Sequence, residues 1–161
     1  MLIGKELTQA INEQIGHELA ASHQYVAIAA YFDGLALKRL AKMFYRQGEE
    51  EREHAMKFAH YVVEAGGNLE IPTIPAPKAI FKSVEEAVQL SLDWELEVTR
   101  RINGLMDIAV SQKDYLGQDF LRWFVTEQLE EVSTMQNLLQ VVKTAGERNL
   151  IMLEAYISHQ D

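Results

Sequence analysis

The chain contains 161 residues, 48% hydrophobic and 24% charged, which suffices for a single domain (residues 1–161) with a core and a solvated surface. Its formal net charge of −9 argues against binding to nucleic acid phosphates, and the absence of cysteine excludes disulfides and thiolate metal sites. The sequence has neither a signal-peptide core nor an apolar run of about 18 residues, so we expect a cytoplasmic protein without a membrane span.

The three prolines all lie between residues 72 and 77, so no proline interrupts the long stretches on either side, and we expect an all-α protein. Apolar residues recur there at alternating spacings of three and four, which is typical of helices that face the core of a bundle. The pattern predicts four long helices with these inward-facing stripes, in chain order: Leu7, Ile11, Gln14, Glu18, Ser22, Tyr25, Ala29 and Phe32; Leu40, Phe44, Gln47, Glu51, His54, Phe58, Val62 and Ala65; Val84, Val88, Ser91, Glu95, Val98, Ile102, Leu105 and Ala109; Leu121, Phe124, Gln128, Glu131, Met135, Leu138 and Val142.

The connections between these helices indicate how the bundle is threaded. Asp33-Gly34 and residues 113–117 are short turns, and each predicts an antiparallel pair of helices. Residues 67–83 reach roughly 50 Å when extended, whereas a helix of about 27 residues spans roughly 40 Å. This segment can therefore cross the whole bundle, which makes the second and third helices parallel.

Signals at the helix ends complete the predicted architecture. Ser83 and Glu86 form a capping box that starts the third helix. The apolar residues after Gly146 predict a short fifth helix at about 147–158. The sequence thus predicts a four-helix bundle at about 4–145 with one long crossover, followed by this short helix.

Each predicted stripe is apolar at both ends and polar at its centre. Distances from the nearest turn place four glutamates at about the same height, one on each helix: Glu18, Glu51, Glu95 and Glu131. No Lys or Arg lies on the stripes, and an uncompensated buried ion costs at least several kcal/mol. Two divalent cations would balance the four charges, and His54 adds an imidazole on the face of Glu51. Mostly oxygen ligands with one nitrogen favour iron or manganese over zinc.

Alternatives stay open around this cluster. The acids could instead form a polar network in which some are protonated. Tyr25 follows Glu18 by seven residues on one stripe and is expected near the cluster, as a packing residue or hydrogen bonded to a ligand. A second acidic group lies directly beside the inward stripes of the second and fourth helices. It is expected to be solvated surface or a third metal site, and its members are Glu50, Glu127 and Glu130. The other histidines are expected to be surface or packing residues: His17, His23, His60 and His159.

The chain resembles the non-haem bacterial and archaeal ferritins over essentially its whole length. The motifs are GHEL at Glu18, EEEREHA with Glu51 and His54, DWELEVTRRIN at Glu95, and FLRWFVTEQLEE at residues 120–131. The resemblance implies the ferritin-like bundle and a ferroxidase that oxidises Fe(II) with dioxygen. It also implies hollow cages of 24 identical chains that store ferric mineral.

The same resemblance implies a role for each site residue. A first iron would be bound by Glu18, Glu51 and His54, with Gln128 nearby, and Glu51 would bridge to a second iron. The second iron would be held by Glu95 and Glu131, and the family's third, weaker site matches Glu50, Glu127, Glu130 and Glu131. Tyr25 and Trp123 match aromatic residues that the family places beside the centre and the third site.

Differences between this sequence and three related protein families reduce the number of functions that are expected for it. Haem-binding bacterioferritins have a methionine where this chain has Arg52, so haem is not expected. DNA-protecting mini-ferritins place iron between subunits and usually lack a fifth helix. Rubrerythrin-like peroxidases normally add a cysteine-bound iron domain, and this chain has no cysteine. Both are kept as alternatives to iron storage.

Overall fold

The computed structural model describes residues 1–158, and in this range the chain folds into helices without strands. In chain order the helices are α1 (Lys5–Gly34), α2 (Lys38–Glu64), α3 (Val84–Ser111), α4 (Tyr115–Ala145) and α5 (Leu150–Ser158). The all-α class and the four long helices followed by a short one are therefore confirmed. The assignment of residues 1–161 to one domain stays a prediction, because residues 159–161, including His159, lie outside the described part.

The helices bury the faces that the periodicity predicts. Every position of the four inward stripes is buried, from the apolar ends through the polar centre. The spacing of three and four keeps these positions on one side of each helix, so the side chains of all four helices meet in one core. The polar centres of the stripes are consequently enclosed by protein rather than by water.

Two apolar clusters fill the two ends of the bundle. One joins the final turns of α1 and α4 to the first turns of α2 and α3, and the other joins the opposite ends. Because α2 and α3 start at the same end, they run parallel, whereas α1 with α2 and α3 with α4 form antiparallel pairs. The polar centres of the stripes form a layer between the two clusters.

The long segment between α2 and α3 lies along α1. The side-chain amide of Gln24 donates to the carbonyl of Lys78 (2.8 Å) and accepts from its N–H (2.9 Å), and Asn12 donates to the carbonyl of Asn68 (2.8 Å). A Cβ at Gly16 would lie 2.4 Å from Cγ of Pro72, so the close approach of this segment requires glycine there. These contacts fix the crossover that makes α2 and α3 parallel.

Three helix ends differ from the prediction. α1 continues through Gly34, and the left-handed residue of the turn is Ala36, with φ 60°. The N–H of Glu86 donates to Ser83, but the carboxylate of Glu86 accepts from Lys82 and Lys78 instead, so only half of the capping box forms. α5 begins at Leu150 rather than near 147, because the chain turns first.

Among residues 1–158, no helix has both the length and the apolar character that a membrane span requires.

Candidate metal centre

The polar layer contains one glutamate from each long helix. Glu18 on α1, Glu51 on α2 and Glu95 on α3 each retain 1% of their accessible surface, and Glu131 on α4 retains 4%. Each glutamate occupies the middle of its stripe, so the helical period and the short turns bring the four carboxylates to one level. His54 lies one turn after Glu51 and is also buried.

Glu18, Glu51 and His54 form the first of three groups whose potential ligand atoms lie within 4.8 Å of one another. Nδ1 of His54 lies 3.2 Å from Oε2 of Glu51 and 3.9 Å from Oε2 of Glu18. Gln14 donates a hydrogen bond to Oε1 of Glu18 at 2.9 Å. Oε2 of Glu18 and Oε1 of Glu51 are buried and have no hydrogen-bond partner among residues 1–158. Unpaired buried carboxylate oxygens beside an imidazole are suited to a cation.

Glu51, Glu95 and Glu131 form the second group. Glu51 belongs to both groups, so its carboxylate can contact two ions. The other two acids are oriented by neutral donors: Gln128 donates to Oε2 of Glu95 at 3.2 Å, and Gln47 donates to Oε2 of Glu131 at 2.8 Å. These donors orient the carboxylates without cancelling their charge.

The electrostatics of the layer disfavour four ionised acids. Burial, followed by the neighbouring charge of Glu51, raises the pKa of Glu18 well above its ordinary value. Burial and the charge of Glu95 do the same for the pKa of Glu51. Burial raises the pKa of Glu95 to about 7 and that of Glu131 to about 7. Metal-free, the layer therefore holds protons, which bound cations would displace.

A third group adjoins the first two. His54, Glu131 and the half-buried Glu127 offer ligand atoms within 4.8 Å of one another. Glu127 and Glu131 also line a cavity of about 450 Å³ together with Glu50, Glu130 and Arg46. Of the predicted third-site residues, the structure thus brings Glu127 and Glu131 together with His54, whereas Glu50 and Glu130 line the neighbouring cavity.

Comparisons with known proteins show which family the chain belongs to. A family model described as the ferritin-like domain matches residues 8–145. The chain belongs to the ferritin family. It is 41% identical over 150 residues to ferritin BfrB of Mycolicibacterium smegmatis, covering 93% of this chain and 82% of that protein. It is 39% identical over 146 residues to a bacterial non-heme ferritin of Staphylococcus haemolyticus, covering 91% and 88% of the two chains.

Solved structures place this ferritin in the same fold. An open-pore ferritin from the archaeon Archaeoglobus fulgidus aligns with a TM-score of 0.93 at 31% identity, covering 98% of this chain and 97% of that one. A form of the same archaeal ferritin that was engineered to be closed aligns with a TM-score of 0.92, also at 31% identity. The family and the bundle with a short fifth helix, both expected from the motifs, are thereby confirmed.

Tyr25 combines the two roles left open by the sequence of this ferritin. Its hydroxyl donates to Oε1 of Glu95, and its ring packs edge-on against Phe44 with centroids 5.8 Å apart. Burial, followed by the charge of Glu95, raises the pKa of Tyr25 well above its ordinary value. The hydroxyl therefore stays protonated and acts as a donor to the second group.

Sequence reasoning missed two supporting contacts. The sequence shows Gln47 as a polar position on its stripe, but it does not predict the bond from Gln47 to Glu131 on another helix. The inward stripes do not include Thr99, although its hydroxyl accepts a hydrogen bond from Gln128 at 3.1 Å. Its position four residues after Glu95, on the same helical face, is the only sequence signal for it.

Three further histidines, His17, His23 and His60, lie apart from the three groups. His23 and His60 are exposed, and burial lowers the pKa of the half-buried His17. None of these three belongs to a potential metal group among residues 1–158. Trp123 lies edge-on to His54 with ring centroids 5.4 Å apart, and Nζ of Lys57 lies 3.2 Å from the centroid of the Trp123 ring.

Proposed function

We propose that this ferritin oxidises Fe(II) with dioxygen at the buried centre and stores the Fe(III) product. Iron storage is the function of the family to which the chain belongs. The observation that carries the proposal is a charge imbalance: four buried carboxylates occupy two overlapping groups, and within residues 1–158 their one ion-pair partner is His54. Two divalent ions supply the four positive charges that this arrangement lacks.

The protein's own residues have distinct tasks in this reaction. Glu51 would contact both Fe(II) ions. Glu18 and His54 would supply the other ligands of the first ion. Glu95 and Glu131 would supply those of the second. Two Fe(II) substrates give up one electron each, and dioxygen takes both electrons with two protons to the level of hydrogen peroxide. Carboxylate oxygens are hard ligands that stabilise the Fe(III) product. Tyr25 and Gln128 keep Glu95 oriented throughout.

The test compares Glu51→Gln with Glu53→Gln, an exposed position two residues further along α2. We expect the unaltered protein to bind two Fe(II) ions per chain without oxygen and to oxidise them rapidly on exposure to air. Glu51→Gln should slow oxidation by at least 10- to 100-fold, the range found for residues that merely support a metal ligand. Glu53→Gln should behave as the unaltered protein. Rapid oxidation by Glu51→Gln would contradict the proposal.

We also propose that copies of the chain assemble into a hollow cage. The supporting observations are the family and the apolar surface of α5, where Ile151 is 84% and Met152 68% exposed. A cage of 24 chains of 18.4 kDa would sediment as a particle of about 440 kDa. A monomer or dimer in sedimentation would refute it. The absence of haem, inferred from Arg52, and a cytoplasmic location stay predictions.

Two observations favour iron storage over the alternatives. Both paired groups lie within one chain, whereas DNA-protecting mini-ferritins place iron between subunits. The chain has no cysteine for the additional iron domain of rubrerythrin-like peroxidases. A gel-shift assay at low salt provides the check, since a chain of net charge −9 should leave DNA unshifted.

A further inference from the structure

The half-buried Thr99 on α3 joins the helix backbone to a side chain of the metal centre. Its hydroxyl donates a hydrogen bond to the backbone carbonyl of Glu95, one turn earlier, at 2.8 Å. Its oxygen accepts a hydrogen bond from Nε2 of Gln128 on α4 at 3.1 Å. A hydroxyl has one hydrogen, and the Glu95 carbonyl already uses it, so only lone pairs remain for Gln128. Thr99 therefore holds the NH₂ end of the amide and not its carbonyl oxygen.

Glu95 favours the same orientation of this amide. Nε2 of Gln128 lies 3.2 Å from Oε2 of Glu95 and 3.2 Å from its backbone oxygen. Three oxygens thus surround one amide nitrogen, two from Glu95 and one from Thr99. An amide turned by 180° would place its own oxygen against them, and neither a backbone carbonyl nor an ionised carboxylate has a hydrogen to offer. These contacts fix which end of the Gln128 amide faces α3.

The contact from Thr99 differs from the contact with the Glu95 carboxylate in one respect. The carboxylate belongs to the second metal group, so a bound ion would use the same oxygens that Gln128 contacts. The hydroxyl of Thr99 is neutral, and it is anchored to the helix backbone rather than to a potential ligand atom. Thr99 therefore provides Gln128 with an acceptor for which no metal ion competes.

The carboxylate of Glu95 is supported differently from that of Glu18. Both oxygens of Glu95 accept from neutral donors on other helices, Oε1 from Tyr25 on α1 and Oε2 from Gln128 on α4. Glu18, in the first group, accepts from Gln14 on its own helix, and its Oε2 has no hydrogen-bond partner among residues 1–158. Support that crosses from α4 to α3 thus reaches the second group and not the first.

We propose that Thr99 is a positioning residue for the second metal position. It fixes the orientation of the Gln128 amide, and the amide in turn orients the carboxylate of Glu95 toward the ion. This inference rests on the proposed function, because it concerns one of the two iron ions. It adds to that function a residue outside the ligand set on which one position depends and the other does not.

The test compares Thr99→Val, which removes the hydroxyl at nearly constant shape, with Thr99→Ser, which keeps the hydroxyl. Crystals of each assembled protein are soaked at a series of concentrations of Zn²⁺, which has no redox chemistry, and anomalous scattering gives the occupancy of each position. In Thr99→Val the second position should need about 10-fold more zinc to half-fill, the lower end of the range for residues that support a ligand. The first position should fill as in the unaltered protein, which also shows that the variant is folded. Thr99→Ser should restore the second position.

Thr126→Val is a matched control. The hydroxyl of Thr126 makes the same kind of bond to the carbonyl four residues earlier, at 3.2 Å, but on the exposed side of α4. Its loss should leave both positions unchanged. Equal filling of the second position in Thr99→Val and the unaltered protein, or equal weakening of both positions, would overturn the inference while leaving the proposed function intact. If neither position takes up zinc in the unaltered protein, the proposed function fails as well.

Discussion

Tyr25 and Glu95 illustrate how single residues hold the metal-free centre together. Burial raises the pKa of Glu95 to about 7, while the hydrogen bonds from Tyr25 and Gln128 act in the opposite direction by favouring the carboxylate. Both residues are almost completely enclosed, each with 1% of its surface accessible. The hydroxyl therefore has no water to replace its partner, and neither has the carboxylate oxygen.

We expect Tyr25→Phe to destabilise the metal-free protein by about 1–3 kcal/mol, because it leaves a buried acceptor without its donor. Tyr45→Phe is a matched control, since it removes a bond to Asp33 at the surface and should change stability by less than about 0.5 kcal/mol. Thermal unfolding midpoints of the two metal-free variants give the comparison. Equal midpoints would show that the Tyr25 hydroxyl contributes no more than a surface bond.

The sequence identifies which residues reach the centre but not how they bond there. The period of each stripe places Glu18, Glu51 and Glu95 in the core without any knowledge of neighbouring helices. The bond from Gln47 to Glu131 joins residues 84 positions apart in the sequence. It depends on how their two helices are rotated relative to each other and on which side-chain rotamers fit between them. The sharing of His54 by two groups depends on the same details.

At the scale of helices, two acidic residues of the C-terminal region cap the N-termini of α2 and α3. α2 begins without a side-chain cap of its own, and the carboxylate of Glu154 on α5 accepts from the N–H groups of Arg39 and Leu40 at 2.9 and 3.2 Å. Glu147 likewise accepts from the N–H of Glu85 at the start of α3, at 3.0 Å. Negative charge at a helix N-terminus is favourable, so these acids fix α5 against the bundle.

The four long helices can be predicted from the sequence, whereas the place where α5 packs cannot, because it depends on these caps. Periodicity and turn residues are local signals, and they place the four long helices within a few residues. The Glu154 cap joins residues 114 and 115 positions apart, and no local pattern reports such a contact. Local signals therefore predict a short helix at about the right position in the sequence, but they do not show where this helix packs in the fold.

We expect Glu154→Ala to loosen α5 while leaving the four-helix bundle folded. The substitution removes a cap, worth about 1 kcal/mol, and leaves two N–H groups of α2 without their acceptor. Hydrogen exchange of the assembled protein should then be faster in residues 150–158 and at the start of α2. Glu147→Ala is the control, because its loss should affect the start of α3 instead. Unchanged exchange in α5 would show that its apolar contacts alone hold it.

For the whole molecule, the buried acids make stability depend on metal and on pH. A carboxyl whose pKa is higher in the folded than in the unfolded protein binds more protons when folded, so the free energy of unfolding decreases as pH rises between those values. Burial shifts all four glutamates of the layer in this direction. The ion-paired Glu97, with a pKa lowered to about 2, changes its contribution only at lower pH.

We therefore expect the metal-free protein to lose stability between about pH 4.5 and pH 7, the ordinary pKa of glutamate and that of Glu95 and Glu131 in the fold. The loss should be on the order of a few kcal/mol per chain, since one pKa unit corresponds to about 1.4 kcal/mol.

Zn²⁺ should raise the unfolding midpoint far more at pH 7.5 than at pH 5, because at pH 5 it must displace protons. Calorimetry of the assembled protein with and without Zn²⁺ measures both effects, and Glu95→Gln should flatten the metal-free curve. A metal-free midpoint that rises from pH 5 to pH 7 would mean that the layer is compensated by some means other than bound cations.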